Sequence, residues 1–275
     1  MPNTNSLLKA LIVLAALLPT REAAAQKSDA DWIEDCRHDG GDRHGRREAF
    51  CSVTETGTRN PGSSLSMEGL RNGGVTVTGW DRDSMAIKTR IRVTARSESE
   101  ARSVAGQIRT YIRGGDVIVE GPRQDDDAQW SASLYAMVPR RSNLRVGTRN
   151  GPVLVEQVKG DMDLVTSNGP LALRELAGSV RARTTNGPLS ISLAGSRWDG
   201  SGLDARTTNG PLTISVPEGY NARLEAGTTN GPVSVGFPIT VGPGRIARDI
   251  STELGSGGPT IRANTTNGPL TIRRK

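Results

Sequence analysis

The stretch VRARTTNGPLSIS, residues 180–192, decides the fold of this chain of 275 residues. Val180 and Ala182 alternate with arginine up to a Thr-Thr-Asn-Gly-Pro segment, and Leu189 and Ile191 alternate with serine after it. A period of two places every second side chain on the same face, which is the pattern of a β-strand with one buried face. The stretch therefore predicts two half-buried strands joined at Asn-Gly-Pro.

The same unit recurs through the second half of the chain. Asn-Gly-Pro occurs six times, with successive asparagines 18, 18, 23, 21 and 37 residues apart, and a degenerate Gly-Gly-Pro at 257–259 is interpreted as a seventh copy. Self-similarity at a period near 20 residues is typical of stacked coils. The repeated asparagines, which we predict to be structural turns, are Asn150, Asn168, Asn186, Asn209, Asn230 and Asn267.

The proline indicates how each turn runs. Asn-Gly between alternating runs usually marks a tight hairpin, but the residue after Gly must then donate an N–H, and proline has none. We therefore expect the chain to continue around a corner, with Asn or Gly in the left-handed conformation. Stacked Thr and stacked Asn are expected to form hydrogen-bonded ladders along the axis. The Thr positions share the parity of the buried apolar residues, so they are expected to point inward or to line the corner. The predicted fold class is all-β, a single-stranded parallel β-solenoid with coils of about 18–23 residues.

One amphipathic helix is predicted at 97–113. Ser97 and Glu100 form a capping-box pattern, and apolar residues follow at spacings of three and four. We expect this helix to cover an open flank or end of the sheet. At the other end of the chain, the charges of Arg273, Arg274 and Lys275 are expected to shield the last strand edge, so that self-association is weak at most.

The chain divides into four predicted segments. Residues 1–25 have the pattern of a secretory signal peptide, with Lys9, a short apolar run and three alanines at 23–25. A polar, disulfide-stapled segment follows at 26–66, then early strands with the helix at 67–140, then the repeats at 141–275. The mature protein is therefore expected to be periplasmic or secreted.

Cys36 and Cys51 are the only cysteines, and His38 and His44, the only histidines, lie between them. In an oxidising compartment an isolated pair of cysteines predicts a disulfide. The alternative is a Cys2His2 zinc site, but the spacing fits no closed zinc module.

The net charge is +6, and it becomes 33 minus 28, or +5, without residues 1–25. Arginines at outward strand positions form a candidate stripe for an anionic polymer, and the alternative is a solvated face that keeps the protein soluble. Nucleic acid is not expected, because no aromatic residues are interleaved with the basic ones. The arginines at such positions are Arg145, Arg181, Arg183, Arg206, Arg223, Arg262 and Arg273, of which the first five are the candidate stripe.

Catalysis is not predicted. The repeats contain no histidine, so a Ser-His-Asp or Cys-His arrangement has no base there. A less favoured alternative is a polysaccharide-acting enzyme with paired carboxylates. The acidic triplet at 125–127 is interpreted as a hairpin tip rather than a calcium site, and no cofactor or metal is expected. The carboxylates considered for the enzyme are Asp161, Asp163, Glu175, Asp199 and Asp204.

The sequence resembles the bacterial putative-adhesin family, the β-strand-repeat proteins built around domain of unknown function 4097. The resemblance covers about 200 residues and rests on GVTVTGW at 74–80, SESEA at 97–101, Val138-Pro139 before LRVGT at 144–148, and the Asn-Gly repeats. It implies a secreted or envelope-located β-solenoid with no established catalytic residues. The expected function is cell-envelope binding or adhesion through an envelope protein or an anionic polysaccharide or lipid. The alternative is a periplasmic scaffold or spacer.

Overall fold

The computed structural model describes residues 28–39, 47–59, 61–124, 126–238 and 249–275, except for the side chains of 37–39. The predicted signal peptide and His44 therefore lie outside the described residues, as does the side chain of His38. The described chain is mostly β-structure, which confirms the all-β prediction.

The strands form two ten-stranded sheets. Sheet A contains β1 (Glu48–Arg59), β3 (Val75–Trp80), β4 (Ser84–Ala95), β7 (Gln129–Pro139), β9 (Val153–Glu156), β11 (Leu171–Arg174), β13 (Leu189–Ser192), β15 (Leu212–Val216), β17 (Val233–Val235) and β20 (Leu270–Arg274). Sheet B contains β2 (Ser64–Asn72), β5 (Arg109–Arg113), β6 (Asp116–Glu120), β8 (Asn143–Asn150), β10 (Lys159–Asn168), β12 (Ala177–Asn186), β14 (Gly202–Asn209), β16 (Ala222–Asn230), β18 (Asp249–Leu254) and β19 (Thr260–Asn267).

Each repeat contributes one strand to each sheet, and we call such a pair a coil. Equivalent residues of neighbouring coils pair in parallel register, as Leu164 does with Ala182 and Leu171 with Leu189. The inward side chains of both sheets meet in one aliphatic core. Each large aliphatic side chain buried there stabilises the fold by about 1.5–3 kcal/mol. Antiparallel pairs occur at both ends, β1–β4–β7 and β5–β6 at one and β16–β18 at the other, so the sheets are mixed and a simple single-stranded solenoid is not shown.

The corner at residues 168–170 shows how neighbouring coils are joined. The Gly169 N–H donates to the Asn186 carbonyl at 3.0 Å, and the Leu171 N–H donates to the Pro188 carbonyl at 2.9 Å. In this parallel register the Gly169 carbonyl would accept from the N–H of residue 188, but Pro188 has none. The Thr184 hydroxyl donates to that carbonyl instead, at 3.0 Å.

This arrangement repeats at the other corners. Threonine hydroxyls donate to the glycine carbonyl of the neighbouring coil at 2.8–3.0 Å. The expectation that the Thr column bonds to itself is therefore wrong, because the carbonyl left without a donor by proline takes the hydroxyl. The threonines concerned, all buried, are Thr148, Thr166, Thr184, Thr207, Thr228 and Thr265.

The asparagines do bond to one another, each Nδ2 donating to the Oδ1 of the neighbouring asparagine at 2.8–2.9 Å. The seventh member is Asn72, which leads into Gly73-Gly74, so the assignment of 257–259 as the seventh copy is wrong. Residues 257–259 form part of the turn between β18 and β19. The ladder runs in the spatial order Asn72, Asn150, Asn168, Asn186, Asn209, Asn267, Asn230.

Most corner glycines are required by close approach, since none of Gly169, Gly187, Gly210 and Gly231 has a positive φ. A Cβ at Gly169 would lie 2.2 Å from the Gly151 carbonyl oxygen. None of the corner asparagines has a positive φ, and the non-glycine residues that do, among those described, are Gln157 (58°) and Glu175 (55°). The prediction that Asn or Gly is left-handed at the corners is therefore wrong for the asparagines and for these glycines, although Gly73 has φ 126°. Gln157 and Glu175 lie at the other end of the coil, after β9 and β11.

The last coil is inserted out of sequence order. β19 lies between β14 and β16, and β20 lies between β15 and β17. The Leu212 N–H donates to the Pro269 carbonyl and the Leu270 N–H to the Pro232 carbonyl, both at 2.9 Å. The prediction that the C-terminal charges shield a sheet edge is therefore wrong, because β20 is an interior strand and the edges at this end are β17 and β18.

The predicted helix is half correct. Helix α2 spans Glu98–Ala105, and the Ser97 hydroxyl accepts from the Glu100 N–H as predicted. Residues 109–113, however, form β5, which pairs with β6. The helix packs Ala101 and Ala105 against Ile91 and Val93 of β4 in a second small core.

A further helix, α1 (Asp29–Asp39), packs against β1. The predicted disulfide between Cys36 and Cys51 is present, so these cysteines are not available as zinc ligands. Asp29 pairs with Lys88 and, at 3.0 Å, with the buried Arg90. The hydrogen bond from Lys88 lowers the pKa of Asp29.

Candidate binding face

The outer face of sheet B has a column of alternating charge. Residues at the same register on β8, β10, β12, β14, β19 and β16 all lie one position after a buried apolar residue, and they alternate in sign across all six strands. Charges of opposite sign on paired positions of neighbouring strands stabilise a sheet, whereas charges of the same sign destabilise it. In spatial order this column consists of Arg145, Asp163, Arg181, Asp204, Arg262 and Glu225.

The five predicted arginines do not form one stripe. Arg145 and Arg181 belong to the charge column, while Arg183 and Arg206 form the next column along the strands. Arg223 lies beyond the charge column on the other side, at the register of Thr260. Each of them has a carboxylate on its own strand or on a neighbouring one, so this face is a surface of mixed charge rather than a continuous cationic stripe.

Several of these arginines are held by ion pairs within the sheet. Arg206 binds Asp204 through two nitrogens at 2.9 and 3.0 Å. Glu225 accepts from Arg223 at 3.0 Å and from Arg262 at 2.6 Å. The hydrogen bond from Arg223, followed by that from Arg262, lowers the pKa of Glu225.

Replacing Glu225 with glutamine is expected to lower Tm by roughly 2 °C at pH 7. Because the folded-state pKa lies below the ordinary value of 4.5, the stabilisation is complete above that value and is lost as pH falls through the folded-state pKa. The Tm difference from wild type should therefore close as pH falls below 4.5 in a thermal-melt series. Glu218→Gln, at an exposed carboxylate outside the charge column, should show no such pattern. A Tm difference at Glu225 that stays constant down to pH 2 would contradict the ion-pair explanation.

A groove of about 440 Å³ lies between Arg145 and Arg181. The two arginines are separated by β10, so with a strand spacing of about 4.8 Å their backbones lie roughly 10 Å apart. Asp161 and Asp163 also line the groove. Two guanidinium groups beside two carboxylates can bind an anionic and a cationic group at the same time.

The five carboxylates considered for catalysis do not share one site. Asp161 and Asp163 line the groove beside Arg181, and Glu175 and Asp199 line another groove. Asp163 and Asp204 lie on either side of Arg181, with β12 between them. Asp199 pairs with Lys159 at 2.6 Å, a hydrogen bond that lowers the pKa of Asp199. Glu175 lies near the C-terminus, 3.4 Å from Lys275. A general acid needs a raised pKa, and the shift at Asp199 has the opposite direction.

Within the described residues, no group of three or more His, Cys, Asp or Glu side chains could hold a metal ion. Asp125 lies outside the described residues, while Asp127 pairs with Arg96. In the part of the chain that the structure describes, none of the helices has the length and apolar character needed to span a membrane.

The alternation of sign along the charge column was not predicted from the sequence. Asp163 and Asp204 were considered only as catalytic carboxylates, and Glu225 was not considered at all. The signal was present, because every member of the column lies five residues before the asparagine of its own repeat. The whole column appears when outward residues are grouped by their distance in sequence from the asparagine of Asn-Gly-Pro, and not by residue type.

No protein-family model and no curated protein sequence matches this chain. The comparison with solved structures gives several matches, each over 82% of this chain. One, described as a putative cell adhesion protein from Clostridium sporogenes, is 11% identical, is covered over its whole length and has a TM-score of 0.45. A putative adhesin from Bacteroides fragilis is 10% identical, with 97% of it covered and a TM-score of 0.32. A putative lipid binding protein from Parabacteroides distasonis is 8% identical, with 96% covered and a TM-score of 0.29.

Proposed function

We propose that the chain is exported and acts without catalysis as a binding module of the cell envelope. In this proposal residues 1–25 are a signal peptide, 26–66 and 67–140 form the N-terminal part, and 141–275 form the β-solenoid repeat that presents the contact surface. The disulfide between Cys36 and Cys51 supports an oxidising compartment.

The observation that carries this proposal is the alternating charge column on sheet B. Parallel coils repeat about every 4.8 Å, so like charges recur at roughly twice that distance. Many weak contacts at regular spacing favour an extended partner with charges of both signs, such as an envelope protein or a zwitterionic lipid or polysaccharide. A purely anionic polymer fits less well, because Asp161 and Asp163 lie between Arg145 and Arg181.

A second candidate, a structural spacer, is favoured by a different observation. Arg206, Arg223 and Arg262 already bind carboxylates of this chain, so much of the charge on this face is neutralised internally. A spacer needs a regular, soluble stack but no ligand.

Removing Arg145 and Arg181 distinguishes the two candidates. Residues 26–275 would be passed over immobilised lipopolysaccharide and over bilayers of phosphatidylglycerol or phosphatidylethanolamine. We expect retention on at least one surface that presents both charges, reduced at least fivefold in Arg145→Ser/Arg181→Ser, because two charge-assisted contacts are lost. Retention should also fall with salt.

The matched control is Arg174→Ser/Arg273→Ser, which removes the same net charge from the outer face of sheet A. Equal losses in both double variants would contradict a specific face, because retention would then follow net charge alone. Absence of retention on every surface would favour the spacer.

A further inference from the structure

A second cavity, of about 210 Å³, lies at the end of the stack that carries the edge strands β17 and β18. Its apolar wall is formed by Val216 at the end of β15, Phe237 after β17 and Leu254 at the end of β18. It lies at the opposite end of these coils from the Asn-Gly-Pro corners, and its residues belong to neither the charge column nor the groove beside it.

Tyr220 lines this cavity and is only 3% exposed. Among the described residues, every side-chain nitrogen or oxygen that is fully enclosed by the protein has a hydrogen-bond partner. The Tyr220 hydroxyl has no partner among these residues, so it is not fully enclosed. The hydroxyl must therefore reach open space, and the space that Tyr220 lines is the cavity. Burial raises the pKa of Tyr220 to about 12, so the hydroxyl remains a neutral donor at physiological pH.

Arg274 lines the same cavity and lies over the Phe237 ring, 4.9 Å from its centroid. Among the described residues no carboxylate lies within 4.0 Å of its guanidinium group. The other charged residue of the wall, Glu253, is bound by Arg223 at 3.1 Å, so its charge is compensated. The cavity thus combines an unpaired cation, a free hydroxyl donor and an apolar wall.

We propose that this cavity binds a small monocarboxylate with a short apolar body. Arg274 binds the carboxylate, the Tyr220 hydroxyl donates to it, and Val216, Phe237 and Leu254 contact the apolar part. Charge-assisted hydrogen bonds from arginine are the strong contacts for such a group. The cavity is smaller than the roughly 300–1,000 Å³ of sites for drug-sized ligands, so benzoate or hexanoate matches it better than a long-chain lipid.

The test is a titration of the disulfide-bonded mature chain with sodium benzoate and sodium hexanoate, followed by amide chemical shifts in two-dimensional NMR. We expect saturable shifts around Gly219, Phe237 and Gly255, with a Kd of about 1 mM or below. Benzyl alcohol and hexanol, which match the apolar parts without the charge, should bind at least tenfold more weakly.

Arg274→Gln should weaken carboxylate binding at least tenfold, and Tyr220→Phe, which removes one oxygen atom, several-fold. The matched control is Arg273→Gln, because the neighbouring Arg273 points away from the cavity and donates to Ser215 Oγ at 3.1 Å. No saturable shift at about 10 mM ligand, equal binding of acid and alcohol, or equal losses at positions 273 and 274 would each overturn the proposal.

Discussion

Gly187→Ala is expected to lower the free energy of unfolding by more than about 4 kcal/mol, enough to prevent stable folding. A Cβ at this position would lie 2.1 Å from the Gly169 carbonyl oxygen. That oxygen belongs to the backbone of the neighbouring coil and accepts the Thr184 hydroxyl, so it cannot move away without breaking the corner. Chemical denaturation followed by circular dichroism would measure the loss.

The matched control is Gly147→Ala. Gly147 lies in β8 of sheet B, and a Cβ there would approach nothing closer than Glu68 Cγ at 3.7 Å, an ordinary contact. We expect its stability to stay within about 1 kcal/mol of wild type. Equal losses at the two positions would show that Gly187→Ala acts through a general cost of replacing glycine and not through the close approach of coils.

That the chain turns a corner at Asn-Gly-Pro and does not form a hairpin could be predicted from sequence, because it depends on the covalent structure of proline. Proline has no N–H wherever it stands, so a hairpin closed by residue 188 is disfavoured regardless of tertiary structure. The parity of the threonines is equally local, and it correctly placed Thr184 on the buried face. The partner of its hydroxyl was not predicted, because it requires the register between two coils.

The order of the coils could not be predicted from the repeats alone, because successive repeats look equivalent. The charge column contains the missing information. In chain order Asp204 would lie beside Glu225, two like charges on neighbouring strands. In the structure Arg262 of the last coil lies between them and pairs with Glu225 at 2.6 Å. Insertion of β19 therefore restores the alternation of charge.

The prediction for 97–113 failed where two periodicities overlap. The spacing of Ile108, Tyr111 and Ile112 fits a helix face, but Thr110, Tyr111 and Ile112 are also good strand formers. Residues 109–113 form a strand because they pair with β6, and a short sequence window does not contain that contact. On the candidate face the arginines were predicted but the carboxylates between them were not, because which residues are neighbours depends on strands that lie side by side.

Thr184→Val is expected to destabilise the protein by about 1–3 kcal/mol, because the Gly169 carbonyl loses its hydrogen-bond donor while the volume of the side chain is kept. Thr184→Ser, which keeps the hydroxyl, should cost less. Both values are measured by denaturant unfolding, with equal m-values as the check that the compactness of the two end states is unchanged.

Pro188→Ala tests whether the hydroxyl replaces the N–H that proline lacks. An alanine at position 188 supplies the N–H that an ordinary parallel ladder would direct to the Gly169 carbonyl. We therefore expect the double variant Thr184→Val/Pro188→Ala to be more stable than the sum of the single effects predicts, by roughly 1 kcal/mol. Strict additivity would mean that the hydroxyl and the absent N–H do not share this carbonyl. Recovery in the double variant would explain why Thr stands two residues before Asn-Gly-Pro in every coil of the repeat: each proline removes a donor, and each threonine replaces it.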